Sequence, residues 1–136
     1  MSSLLAKIQI HPGMEAQFEE VMVYMYRQTH ETEAAVLRYE YWRGQTPGFY
    51  YCLLSFSDSL AFWRHQASDH HEGQMQRFVA CIADLDLEVI DPVGQASPLP
   101  PTLEQVFPPG EPDAVREQAL LFPIFRALWW SAQAIH

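Results

Sequence analysis

The sequence has few basic residues and no long apolar run, and each shortage excludes a class of partner. Eight lysines and arginines stand against 17 aspartates and glutamates, which leaves a formal charge of −9. The chain would therefore repel the phosphates of nucleic acids and the surface of an anionic membrane. No apolar stretch approaches the roughly 18 residues of a membrane-spanning helix. We expect no nucleic-acid partner and no membrane partner.

Cysteine is also scarce, with only Cys52 and Cys81 in the chain. Both lie in apolar segments without a basic neighbour that would activate a thiol. We expect two buried, reduced thiols rather than a disulfide framework. The first residues lack the basic region and the long apolar region of a secretory signal peptide. These features predict a cytoplasmic protein.

Several familiar catalytic motifs are missing. We find no Ser-His-Asp or Cys-His combination, no glycine-rich phosphate loop and no paired carboxylates. The chain is instead rich in apolar residues, because 49% of its residues are hydrophobic and 13% are aromatic. Aromatic side chains are costly to expose, so the core or an interface should be rich in them. A length of 136 residues suits one domain.

The periodicity of apolar residues predicts the element order β-α-β-β-α-β. Alternation indicates strands at residues 3–10, 36–45, 49–56 and 85–90. A helical period begins at Met14, and Asp58 and Ser68 can cap a short helix at 59–67 and a longer one at 69–83. This is the order of a ferredoxin-like α+β sandwich.

The composition changes after Asp91. Seven prolines follow within about twenty residues: Pro92, Pro98, Pro100, Pro101, Pro108, Pro109 and Pro112. They predict an extended arm. Apolar residues from Leu121 to Trp129 then recur at helical spacing and predict a C-terminal amphipathic helix, with Pro123 tolerated as a kink or in the first turn. We expect residues 1–93 to form the domain, and residues 94–136 to pack on their own protomer or, as the arm's reach favours, on a partner.

Three segments resemble the antibiotic biosynthesis monooxygenase (ABM) domain in sequence and in spacing. They are His11-Pro12-Gly13-Met14-Glu15-Ala16-Gln17-Phe18, Leu37-Arg38-Tyr39-Glu40-Tyr41, and the stretch from Ser57-Asp58 through Ala61 and His65 to Ala67-Ser68-Asp69-His70. The likeness covers about residues 3–93. It implies a dimeric α+β barrel in which two sheets meet face to face, with helices outside and a ligand cleft between the sheet and helices of each protomer.

The resemblance also implies two buried faces for the strands. Positions that would face the helices are Ala6, Ile8, Tyr39, Tyr41, Cys52, Leu54 and Phe56. Positions that would form the homodimer interface are Arg38, Glu40, Trp42, Tyr51 and Leu53. An unpaired buried charge is expensive, so Arg38 and Glu40 should be paired there.

The histidines at 65, 70 and 71 are the only local cluster of chemically versatile side chains. Their spacing does not stack three imidazoles on one helix face, so we expect no metal. His70 and His71 fall in the first turn of a helix, where the dipole favours a neutral imidazole that can exchange a proton with a phenol. We take His70, and after it His71, as candidate catalytic residues. The alternative is that His71 fills the edge of the core and His70 bonds a loop.

A candidate substrate pocket would combine adaptable methionines with tyrosines that position a ring. Its residues are Met22, Met25, Tyr39, Tyr41, Cys52, Phe56, His65 and Met75. The alternative is that these side chains are ordinary core. By the same resemblance, the haem-degrading branch would want an Asn near Ala6, a Trp at Phe56 and a His near Met75. All three are missing, so we expect no haem and no other cofactor.

The family contains cofactor-free oxygenases of phenolic polyketides, quinol oxidases, haem-degrading enzymes and proteins without assigned activity, so the fold alone does not decide the chemistry. We expect a cofactor-independent monooxygenase of an aromatic or polyketide-like phenol or quinol. The alternative is a catalytically silent ligand-binding or scaffold dimer. An open cleft that reaches a histidine would favour the enzyme, and a packed core would favour the silent dimer.

Overall fold

Four strands and five helices make up the part of the chain that the computed structural model describes, residues 1–133, with 131–133 described by their backbone alone. The elements are β1 (Ser2–Ile10), α1 (Glu15–Thr32), β2 (Val36–Arg43), β3 (Phe49–Phe56), α2 (Ser59–Gln66), α3 (Asp69–Cys81), β4 (Ile82–Ile90), α4 (Asp113–Leu121) and α5 (Leu128–Gln133). Among the described residues, none of the helices has the length and apolar character that crossing a membrane requires.

The strands form one antiparallel sheet in the order β2-β3-β1-β4. One row across it joins Tyr39, Leu54, Leu4 and Val89, which pair in turn on neighbouring strands. Because successive side chains of a strand point to opposite faces, this register assigns each strand residue to the face with helices or to the open face. The predicted ferredoxin-like α+β fold is confirmed.

The core lies between the sheet and its helices. Of the seven positions predicted to face the helices, six are fully buried and Tyr41 is half-buried. Helix α1 contributes Phe18, Val21, Met22 and Met25, all less than 5% exposed. This spacing of three and four residues is the apolar stripe that the sequence predicts.

The predicted caps are also present. The Asp58 carboxylate accepts a hydrogen bond of 2.7 Å from the backbone N–H of Ala61, and the Ser68 hydroxyl accepts one of 3.3 Å from that of His71. Each satisfies a donor that the first turn of a helix leaves free. Asp58 thus caps the start of α2, and Ser68 caps α3 at the turn between α2 and α3.

The end of α3 differs from the prediction. The helix ends at Cys81 rather than at residue 83, and β4 begins at once with Ile82, which pairs with Ile10. The Cys81 carbonyl accepts a hydrogen bond of 2.8 Å from the His11 backbone. This pairing satisfies the carbonyl at the helix end and draws the next residues into the sheet. As a result Cys81 is fully buried, whereas Val79, predicted in the apolar stripe, is 61% exposed.

The helix predicted from Leu121 onward forms only in its second half, as α5, and the preceding helix α4 was not predicted. Helix α4 ends at Leu121, residues 122–127 are not helical, and α5 begins at Leu128. Phe122 precedes Pro123, and a proline disfavours helical geometry in the residue before it. The Phe122 backbone, at φ −131° and ψ 69°, is accordingly not helical. Its carbonyl accepts a hydrogen bond of 2.9 Å from the indole of Trp63 on α2.

In this structure the tail contacts its own protomer, and packing on a partner stays a prediction. The Leu60 backbone donates to the Gln105 amide at 2.9 Å, and Arg64 forms an ion pair with Glu111. Val115 of α4 is only 7% exposed and belongs to the main core. The proline-rich stretch between β4 and α4 has neither helix nor strand.

We predict that the docked tail contributes to stability through Val115. Val115→Ala should lower the free energy of unfolding by about 2 kcal/mol, because it removes buried methyl groups, with a small offset from the higher helix propensity of alanine. Val106→Ala is the matched control, since Val106 lies in the same tail and is 90% exposed. Urea unfolding of both variants measures the difference. Equal effects would show that the tail is not docked, and a difference that grows with protein concentration would place it on a partner.

Candidate functional site

The ends of three helices meet at one carboxylate. Glu33 directly follows α1, with its backbone N–H bonded to the Thr29 carbonyl at 2.9 Å, while His65 lies near the end of α2 and His70 near the start of α3. One oxygen of Glu33, Oε2, lies 2.8 Å from His65 Nδ1 and 2.7 Å from His70 Nε2. His65 is 1% exposed. We call these three residues the Glu33 cluster.

Two hydroxyl groups extend this cluster. His70 Nε2 is 3.2 Å from the Ser68 hydroxyl and 3.4 Å from that of Thr29. A carboxylate only accepts hydrogen bonds, so the Nδ1 of His65 that faces Glu33 carries the hydrogen. The Nε2 of a neutral His65 ring is then a bare acceptor, and it is buried without a hydrogen-bond partner.

The Glu33 cluster could hold a metal ion. Its carboxylate oxygen and two imidazole nitrogens lie within 4.8 Å of one another. The expectation of no metal rested on three histidines along one helix. That reasoning does not apply to this arrangement, because the ligands come from three elements and Glu33 takes the place of the third histidine.

His71 stands apart from the cluster. Its ring is 5.2 Å from that of His65, and its buried Nδ1 has no hydrogen-bond partner. Burial, with help from His65 and His70, lowers the pKa of His71 to about 3. The Glu72 carboxylate, 3.6 Å away and half exposed, does not compensate for the lost hydration. His71 is therefore neutral at pH 7, and it is a weak base that fits the core-edge alternative.

Tyr39 and Tyr41 form a second polar pair. Their hydroxyl groups are 2.8 Å apart, and the Tyr39 ring lies 4.9 Å from the ring of His65. Burial raises the pKa of both tyrosines well above 10, so both remain protonated phenols. Burial also raises the pKa of Cys52 to about 12, as expected for an inert buried thiol.

A cleft of about 490 Å³ lies between α1 and the edge strand β2. Its lining residues are Glu19, Met22, Val23, Tyr26, Glu40, Tyr41, Trp42, Arg43 and Tyr50. The Glu19 carboxylate accepts hydrogen bonds from Arg43 Nε at 3.1 Å and from the Tyr50 hydroxyl at 2.6 Å. These bonds lower the pKa of Glu19, whereas burial, reinforced by Glu19, raises that of Tyr50 to about 12. The cleft is thus apolar except at one wall, where Glu19 pairs with Arg43.

Only two of the predicted pocket residues, Met22 and Tyr41, line this cleft. Met25, Tyr39, Cys52, Phe56 and His65 are buried in the core, and Met75 is half-buried on α3. None of the three clustered histidines is among the lining residues. The other lining residues, among them Glu19, Arg43 and Tyr50, come together only through the fold. Glu33 lies outside the helices and strands, and no sequence pattern marks it as a functional residue.

The open face of the sheet carries the predicted interface residues. Arg38 binds Glu40 through two hydrogen bonds of 2.7 and 2.9 Å within the chain. Trp42 is 58% exposed on the same side. Tyr51 and Leu53 are half-buried on β3. The far edge, β4, presents exposed Asp84, Asp86 and Glu88 instead.

Comparison with known proteins bears on this arrangement. A family model described as antibiotic biosynthesis monooxygenase matches residues 1–77, more than half of the chain. No curated protein is similar enough to match. Among solved structures, a candidate antibiotic biosynthesis monooxygenase from Caulobacter crescentus is 22% identical with a TM-score of 0.64 and covers 68% of this chain and 89% of its own. One from Bacteroides thetaiotaomicron is 19% identical with a TM-score of 0.64 and covers 77% and 95%. Identities this low establish the fold alone.

We predict that His71 makes stability fall in mild acid. The unfolded chain protonates this histidine near pH 6.5, whereas the folded protein does so only near pH 3. Unfolding therefore takes up a proton between these values, and stability is lost as the pH falls from about 6.5 toward 3. His71→Gln should remove about 2 kcal/mol of the loss between pH 7 and pH 5, measured by urea unfolding.

His11→Gln serves as the control, because His11 is exposed in the turn after β1. It should keep the pH dependence of the natural sequence. An unchanged pH dependence in His71→Gln would mean that the folded protein already accommodates a charged His71.

Proposed function

The chain belongs to the antibiotic biosynthesis monooxygenase family, and we propose that it is a monooxygenase without a bound cofactor. Its substrate would be a small hydroxylated aromatic compound, such as a phenol or a quinol. The observation that carries the proposal is the cleft beside α1, an aromatic-lined space that has Tyr41 in its wall, with the Tyr41 hydroxyl bonded to that of Tyr39.

The size and lining of the cleft suit a planar aromatic ligand. A volume of about 490 Å³ lies within the range of small-molecule sites, roughly 300–1,000 Å³. Met22, Val23, Tyr26 and Trp42 offer flat or adaptable apolar contacts. Glu19, bonded to Arg43 and Tyr50, would orient a hydroxyl group of the ligand at the opposite wall.

The tyrosine pair supplies the polar contact that the reaction needs. A phenol or quinol becomes a reductant of dioxygen when it carries negative charge on its oxygen. Tyr41 stays protonated, and Tyr39 bonds to it from behind, so the pair can donate a hydrogen bond to that oxygen as charge develops. We therefore propose Tyr41, rather than His70 or His71, as the residue that touches the substrate.

The substrate itself supplies all the electrons in this scheme. A naphthohydroquinone and O₂ give a hydroxynaphthoquinone and H₂O. At a ring methylene flanked by aromatic groups, CH₂ and O₂ give C=O and H₂O. One oxygen atom enters the carbonyl group, and the other leaves as water with the two hydrogens of the methylene. The chain binds and orients the ring, stabilises its oxyanion and keeps water out of the apolar cleft.

A packed interior favours the second candidate, a catalytically silent binding dimer. Phe56, Phe62 and His65 are each at most 1% exposed and fill the space between the sheet and α2. Tyr39 separates the histidines from the cleft, since its ring packs 4.9 Å from that of His65. Binding without turnover would be the result if the cleft only holds a ligand.

We also propose that the protein works as a homodimer through the open face of the sheet. Trp42 is large and exposed there, and Tyr51 and Leu53 provide half-buried apolar surface beside it. The paired Arg38 and Glu40 can be covered without leaving a charge unpaired. The acids of β4 would repel their own copies, which favours contact over β2 and β3.

We predict that Tyr41→Phe impairs oxidation. Anthrone and 1,4-naphthohydroquinone are suitable probes, with oxygen uptake measured above their spontaneous oxidation. Losing one hydrogen bond to the oxyanion should lower kcat/KM by about tenfold or more. Tyr24→Phe, on the exposed side of α1, should retain full activity.

Two outcomes would contradict this assignment. Uptake by Tyr41→Phe equal to that of the natural sequence would remove Tyr41 from the site. Binding of the probes without oxygen uptake by the unaltered protein would establish the silent alternative. Thermal unfolding of each variant verifies that the fold is retained.

We predict that Leu53→Glu dissociates the dimer. The substitution places a carboxylate inside the proposed interface, where burial of an unpaired charge costs several kcal/mol. Val79→Glu is the control, because Val79 is exposed on the outer side of α3. Light scattering coupled to size-exclusion chromatography should find monomers for Leu53→Glu and dimers for the control. A monomeric natural protein, or a dimeric Leu53→Glu variant, would contradict the interface.

A further inference from the structure

The Glu33 cluster has no part in the proposed reaction, yet it gathers three strong ligands in one place. Glu33 Oε2, His65 Nδ1 and His70 Nε2 lie within 4.8 Å of one another. We propose that these three residues bind a divalent transition-metal ion of the zinc type. The proposal does not depend on the proposed monooxygenase function.

The donor set fits this class of ion. Two imidazole nitrogens and one carboxylate oxygen suit zinc and its neighbours in the periodic table, whereas calcium and magnesium prefer oxygen ligands alone. The hydroxyl groups of Ser68 and Thr29, 3.2 and 3.4 Å from His70 Nε2, stand beside the site. One of them, or a water molecule, can complete a tetrahedral shell.

The unpartnered nitrogen of His65 points to the same conclusion. Without a metal, the ring donates from Nδ1 to Glu33 and leaves Nε2 as a buried acceptor that nothing satisfies. A buried polar atom of this kind costs about 1–3 kcal/mol. With a metal on Nδ1, the hydrogen moves to Nε2. The rings of Tyr39 and Phe56, whose centres lie 4.9 and 5.2 Å from the centre of the His65 ring, pack beside that imidazole.

Admitting the ion requires a local adjustment of the three ligands. The two nitrogens lie 2.7 and 2.8 Å from Glu33 Oε2, which is hydrogen-bonding distance. Around a tetrahedral zinc with bonds of about 2.0–2.1 Å, ligand atoms are about 3.3 Å apart. The carboxylate therefore needs to retreat by roughly half an ångström, and the two nitrogens, which lie within 4.8 Å of each other, need to come to about 3.3 Å. Glu33 ends α1 beside the short loop to β2, so its side chain has the freedom to do so.

The ion would join parts of the chain that the sheet does not connect directly. Glu33 lies at the end of α1, His65 in α2 and His70 in α3, and all three are mostly buried. The net charge of −9 favours attraction of a cation over long range. A bound ion would stabilise the folded state, because the three ligands are not held together in the unfolded chain.

Zinc chloride added to the full-length, untagged protein tests the proposal, after removal of metals with a chelator. Calorimetry should find one zinc ion per chain, and a hundredfold excess over Kd should raise Tm by roughly 5 °C or more. Magnesium chloride at the same concentration should do neither. Cobalt(II) should give the visible absorption bands of a tetrahedral site.

Two conservative variants make the result specific. Glu33→Gln and His70→Gln preserve size and hydrogen bonding but remove a strong ligand, so each should lose the cobalt bands and most of the rise in Tm. His11→Gln, which removes an exposed imidazole, should retain both. Far-ultraviolet circular dichroism verifies folding. Zinc binding by both cluster variants as tight as that of the natural sequence would overturn the site, as would an unaltered protein that binds no zinc.

Discussion

A single carboxylate oxygen, Glu33 Oε2, ties together the ends of three helices. It contacts His65 at 2.8 Å and His70 at 2.7 Å, and the backbone of the same residue closes α1 on Thr29. A carboxylate in such surroundings must be hydrogen-bonded or paired, because its loss of hydration is otherwise uncompensated. The corner between α2 and α3 therefore has to present both histidines to it. Tyr39 packs on the resulting His65 ring, and Tyr41 bonds to Tyr39 at the wall of the cleft.

The two faces of the sheet have different surroundings. On the helix side most strand residues are buried, and a cleft opens at the edge, where α1 passes β2. On the open side, Trp42 and the Arg38–Glu40 pair lie over β2, whereas acidic residues occupy β4. The cleft includes Glu40 and Trp42 among its walls. A dimer formed over β2 and β3 would thus lie next to the cleft, and assembly and ligand binding would share residues.

The fold can be predicted from the periodicity of apolar residues, whereas the candidate site can be predicted only in part. Alternation and helical spacing locate the strands and α1, because these patterns report which side of an element is buried. Asp58 and Ser68 are predictable caps because their chemistry is local. Glu33 is not predictable, since its partners lie more than thirty residues away and no pattern marks it. The break at Phe122 was foreseeable from Pro123, but the apolar spacing on both sides suggested a continuous helix.

The tail helps to position His65, because it contacts the helix that carries this residue. Helix α2 has only eight residues, too few to hold its orientation by helix formation alone. Three contacts with the tail hold α2 in place. They are the hydrogen bond of Leu60 to Gln105, that of Trp63 to the Phe122 carbonyl, and the ion pair of Arg64 with Glu111. His65 is the next residue along α2, and its ring faces the core while these contacts hold the helix from outside. The tail, which lies beyond the residues that match the family, therefore helps to position the Glu33 cluster.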